Sequence, residues 1–200
     1  MNAFNNNSSQ KAERLAEAKH HTEMDMLIKG TYGEGEFGES NFKGCSIGCL
    51  YNGAHEKGAN KDSIPVDILY LADNLFESLP APDYINWHTD WIKAIPVGAD
   101  LSLVKWKFLH WLIHDKKDGV FVIAGDELKA IITKYEYLLT HASKGNIHPA
   151  EEFSKAARAA WAVRVVGAAE AVRVVGAAWA AGDAGAIKQA AKLIEILESS

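Results

Sequence analysis

The chain has 200 residues, 48% of them hydrophobic and 24% charged, with a formal net charge of −5. That length and composition support a sizeable core and exclude wholesale disorder, and the acidic balance excludes a general nucleic-acid binder, which carries a basic face. The charge is uneven: residues 1–100 hold 8 Lys/Arg against 15 Asp/Glu, and residues 101–200 hold 13 against 11.

Residues 1–9 read as a polar, frayed start, with Ser8 or Ser9 able to cap a first helix. Ala12, Leu15, Ala16, Met24, Leu27 and Ile28 recur at helical spacing over 10–28, and Gly30 is a natural stop. The start has no basic-then-apolar export pattern and two cysteines make no disulfide framework, which predicts a cytoplasmic protein with reduced thiols. Residues 30–62 are dense in Gly and Asn and read as a Gly-rich loop insertion, broken by a short helical turn around 45–51.

Helical signals then resume. Ser63 and Pro65 start a helix whose buried face is Val66, Leu69, Leu75 and Phe76, ended by Pro80 and Pro82. Asp83 opens the next, carrying Ile85, Trp87, Trp91, Ile92 and Ile95 up to Pro96. Asp100 is a suitable cap for an apolar helix over 101–114, with Gly119 ending it. Residues 120–124 form a short apolar run that reads as a connector or a strand. Asp126 caps a helix to about residue 142, with Leu128, Ile131, Ile132, Tyr135, Leu138 and Leu139 as its core side.

From residue 150 the chain is Ala-rich, which favours helix. AVRVVGAAE at 162–170 is followed by AVRVVGAAW at 171–179. On a helix Trp161, Val165, Ala168, Val172 and Trp179 return to one face, a packing stripe that predicts contact with the body or with a second copy. Arg158, Arg164, Glu170 and Arg173 argue against this segment crossing a membrane. Gly182 and Gly185 bend the chain before a final helix ending near Glu198. The expected fold is all-α: a helical body over 1–149 with the 30–62 insertion, and an Ala-rich tail over 150–200.

Several constellations could carry chemistry. Cys45 and Cys49, one turn apart, with His55 beyond them, could ligate zinc, although paired zinc cysteines are usually separated by two residues. The same residues could form a thiol–imidazole pair, with His20 or His21 as other bases; the bland alternative is two small buried thiols. Gly33–Gly38 has the letters of a dinucleotide loop, but a helix precedes it and Glu34 and Glu36 would repel phosphate. Glu34, Glu36 and Glu39 instead read as a solvated acidic surface for a partner. Trp87 and Trp91 join them as partner-binding candidates if exposed, and are core otherwise. His110 and His114 lack the intervening glutamate of a zinc-protease helix and lie along a margin with Lys105, Lys107, Lys116 and Lys117, able to meet a nucleotide phosphate or an acidic partner.

The segments GCSIGCL at 44–50, IPVDILYLADNLFESLP at 64–80 and IPVGADLSLVKWKFLHWLI at 95–113, followed by the Ala-rich tail, resemble a group of uncharacterised proteins common in bacteriophage and prophage genomes. The resemblance runs from about Thr31 through most of the chain and carries no catalytic residues with it. It implies a phage setting, in which small acidic proteins act by binding and blocking a host factor. The leading expectation is therefore a non-enzymatic, host-directed binding protein, an inhibitor of a bacterial defence system being one form, with no cofactor. The alternatives are a small thiol- or zinc-dependent enzyme centred on Cys45, Cys49 and His55, and a protein that sequesters a nucleotide-like signal.

Overall fold

The computed structural model describes residues 2–52, 55–115, 126–149, 151–152, 155 and 182–200. Those residues form eight α-helices and no β-strand, so the protein is mainly α. In chain order they are α1 (Ser8–Glu23), α2 (Ser46–Tyr51), α3 (His55–Asp62), α4 (Val66–Ser78), α5 (Asp83–Ala94), α6 (Val104–His114), α7 (Asp126–Ser143) and α8 (Gly182–Glu198). None of them is long and apolar enough to cross a membrane. The 120–124 run and the stripe of Trp161, Val165, Val172 and Trp179 lie outside the described residues.

The chain divides into two units, Met1–Ser102 with Ala186–Ser200, and Leu103–Gly185. The boundary expected at 149/150 thus falls inside the second unit. In that unit α6 packs on α7, burying Val104 and Phe108 from one and Ile132, Leu138, Leu139 and Ala142 from the other. Asp100 does not cap α6: its side chain accepts from Ser102 N at 3.0 Å, closing a turn two residues before the helix begins.

The first unit is held by a core that includes Phe4, Ile47, Leu50, Phe76, Trp91 and Leu193, all fully buried. Removing such a side chain from water contributes about 1.5–3 kcal/mol each. The start is not frayed. Ala3 and Phe4 are 0% exposed, and Ala3 N donates to Ala99 O at 3.0 Å while Gly98 N donates to Ala3 O at 2.8 Å. One aromatic anchor outweighs the polar residues around it. Asn7, not Ser8 or Ser9, caps α1, accepting from Ser9 N and Gln10 N at 2.9 and 3.3 Å. The helix ends at Glu23, so Leu27 pairs with Gly44 in an isolated bridge instead of continuing it.

Trp87 and Trp91 are 3% and 0% exposed, which corrects their reading as partner-binding residues: both face inward from α5. Each indole N–H has an internal acceptor, Ala72 O for Trp87 at 2.8 Å and Ser46 Oγ for Trp91 at 3.2 Å. From α8, Ile187, Ala190 and Ile194 join Leu79 and Trp87 along a groove of about 220 Å³.

Candidate functional site

Within the first unit, polar side chains occupy buried positions at three places. On α1 the buried residues are Arg14, Ala18 and His21, so the inward face of this helix is largely polar. Arg14 Nε donates to Asp62 Oδ2 at 2.7 Å, and the same oxygen accepts from Tyr51 OH at 2.7 Å while Gln10 donates to Oδ1 at 2.7 Å. Burial opposes the Arg14 charge, but the hydrogen bond and charge of Asp62 outweigh it and raise its pKa. Burial and Asp62 together hold the Tyr51 phenol well above its ordinary value. With Asp62 fully buried and both its oxygens bonded, this cluster ties α1, α2 and α3 together as a structural ion pair.

The second place is a relay. An indole N–H only donates, so Ser46 Oγ accepts from Trp91, and the same hydroxyl is hydrogen-bonded to His88 Nδ1 at 2.9 Å. His88 Nε2 faces His21 Nδ1 at 3.4 Å. Burial, reinforced by each ring's proximity to other bases, lowers His21 to about 4 and His88 to about 3. Both rings are neutral at ordinary pH.

The third place lies beneath the loop. Cys45 caps α2 with an extended backbone (φ −67°, ψ 177°), and its sulfur accepts from Gly48 N at 3.3 Å. Its sulfur, an Asp73 oxygen and a Glu77 oxygen lie within 4.8 Å of one another. Asp73 Oδ2 is 3.2 Å from His55 Nε2, whereas Oδ1 is buried and has no hydrogen-bond partner among the described residues. The His55 ring stacks on Tyr70 with centroids 3.9 Å apart and meets Tyr32 edge-on at 5.6 Å. Tyr32 and Tyr70 are themselves half-exposed, so the two phenols flank the buried imidazole.

Burial and the Asp73 carboxylate push the Cys45 thiol up to about 12. That is the opposite of what a nucleophilic cysteine requires. Cys49 goes elsewhere: its thiol faces Gly44 O at 3.5 Å and Met26 O at 3.6 Å, and burial pushes it up to about 11. The sequence therefore selects Cys45 and His55 for this region, but the structure puts Asp73 and Glu77 with Cys45 in the place that spacing assigns to Cys49. Asp73 and Glu77 had a legible signal, two acids at i and i+4 on α4, one of them among apolar neighbours.

Above this centre the loop is fixed at its base. Glu34 and Lys43 exchange backbone hydrogen bonds at 2.7 and 2.9 Å, Cys45 N donates to Thr31 O at 2.9 Å, and Gly30 N donates to a Glu77 oxygen at 2.9 Å. Residues 32–41 are exposed throughout, including Glu34, Glu36 and Glu39, and Phe37 packs edge-on against the buried Phe42.

In the second unit His110 bonds Thr140 at 3.1 Å and His114 pairs with Glu136 at 2.6 Å, so both rings are engaged by α7. Burial, then the neighbouring His114, lowers His110. With the Glu136 carboxylate beside His114 and the His110 pKa lowered, this margin is a poor phosphate cradle. No protein-family model matches the chain, and no curated protein or solved structure matches it either.

Proposed function

We propose that the protein is a binding protein that presents the loop over 30–44 to a basic surface of a partner. The observation that carries this reading is a fixed loop base under an exposed acidic face. Residues 30–42 contain three glutamates and no Lys or Arg. Hydrogen bonds at 26, 28, 31, 34 and 43–45 fix the base of the segment, so little ordering remains when a partner docks. Phe37, 43% exposed, supplies an apolar contact amid the acids. The resemblance to phage-encoded proteins makes the partner a host protein, and the action a blocking of its basic surface, as of a defence protein.

Reversing Glu34, Glu36 and Glu39 to Lys is expected to weaken partner binding at least tenfold, about 1.4 kcal/mol, and to flatten its dependence on salt. The partner is the protein retained by the wild type from host lysate, and affinity is then measured with purified components. Circular dichroism should be unchanged, because all three side chains are exposed. A triple variant that binds as tightly as wild type would place the contact on another surface.

A further inference from the structure

We propose that Cys45, Asp73 and Glu77 form a binding site for a divalent first-row cation of zinc's class, independent of any partner of the loop. A thiol, which ionises on ligation, and two carboxyl groups share one locus, within 4.8 Å. Asp73 is the decisive one. It is 8% exposed, its Oδ2 is engaged by His55, and its Oδ1 is buried with no hydrogen-bond partner among the described residues. Without an ion the Cys45 thiol hydrogen-bonds the Asp73 side chain; a bound cation would replace that proton between sulfur and carboxylate and would also satisfy Oδ1.

The donor set narrows the choice of ion. Calcium and magnesium take oxygen donors, whereas a thiolate with two carboxylates suits zinc or a neighbouring first-row ion. Zinc–sulfur and zinc–oxygen distances of about 2.0–2.3 Å place tetrahedral donor atoms roughly 3.3–3.8 Å apart. Closing onto the ion therefore takes about 1 Å of side-chain movement, and Glu77, the least buried of the three, has the freedom to supply it. The Cys45 thiol gives up its proton to solvent as the sulfur–metal bond forms. Three protein donors leave a fourth position for water, the arrangement of zinc sites that do chemistry.

His55 acts through Asp73. Its Nε2 fixes Oδ2, and the stacked Tyr70 fixes the ring, so it is a positioning residue for the carboxylate. The site also lies at the base of the acidic loop. Gly30 N is bonded to Glu77 and Thr31 O to Cys45 N, so two donors already hold the segment that the cation would stiffen.

The test is a Co²⁺ titration of the full-length protein after chelator treatment and desalting. The wild type is expected to develop a thiolate-to-cobalt charge-transfer band saturating at one equivalent and removed by one equivalent of Zn²⁺. Cys45→Ser should abolish the band and Cys49→Ser should keep it. Glu77→Gln should weaken Co²⁺ binding at least tenfold, and His55→Gln by about tenfold, with each variant's fold checked by circular dichroism. Glu77→Gln keeps the test decisive if a substitution at a buried donor prevents folding. No band in the wild type, a band that survives Cys45→Ser, or a Glu77→Gln variant that binds as wild type would each overturn the assignment.

Discussion

Gly48→Ala is expected to destabilise the protein by about 3 kcal/mol. In a helix interior the same change normally stabilises by about 0.5–1 kcal/mol, because alanine loses less backbone freedom. Here the sign reverses. A Cβ on Gly48 would lie 1.6 Å from Tyr32 O and 2.6 Å from Tyr32 C, both backbone atoms that no rotamer change can move. Gly44 faces the same carbonyl, with a Cβ 2.6 Å from it. Either α2 shifts or the loop lifts, and lifting breaks the Cys45 N to Thr31 O hydrogen bond of 2.9 Å. Urea unfolding of the variant reads the loss, and faster proteolysis near residue 32 would show that the loop has lifted. A Gly48→Ala protein as stable as wild type, or more so, would mean that Tyr32 does not rest on α2.

Acidification from pH 7 to pH 5 should remove about 4 kcal/mol of stability through His21 and His88 alone. In the folded protein burial holds these rings neutral down to about 4 and about 3. In the unfolded chain both take up protons from about pH 6.5. Between those limits the unfolded state binds more protons, so stability is complete above pH 6.5 and falls as pH drops. The slope is about 1.4 kcal/mol per pH unit for each ring. His20 and Arg14, the basic neighbours of His21, act in the same direction as its burial. Urea midpoints at pH 7 and pH 5 measure the effect, and His21→Gln should roughly halve it while leaving His88 an amide to bond. Equal midpoints at the two pH values would show that neither ring is held neutral by the fold.

The helices were legible because their apolar residues recur at the helical period and proline, glycine and Asx residues mark their ends. What periodicity hides is the polar residue on an inward face. Arg14, His21, Asp73 and His88 occupy positions where the repeat calls for an apolar side chain, and each is buried because another element supplies its partner. No local pattern announces a partner 42 or 48 residues away, the separations of Ser46 from His88 and of Arg14 from Asp62. The cysteines show a second limit. Spacing of four predicts one face if both residues are helical, but Cys45 is the extended cap, so its sulfur leaves in a different direction from that of Cys49. The tryptophans of α5 show a third: helical spacing established that they share a side, and only packing established that the side faces inward.

The first unit is discontinuous in sequence, closing only when Ala186–Ser200 returns to it. Its fully buried Leu193 and Leu197 belong to that returning segment. During synthesis the ribosome must therefore complete residues 103–185 before the missing helix exists. At common elongation rates that interval is about 4–17 s. For that time the nascent chain carries Trp87 and Leu79 without Ile187, Ala190 and Ile194 beside them. The interval gives chaperones a defined apolar patch to recognise, and it makes the arrival of residues 186–200 the step that completes this unit's core.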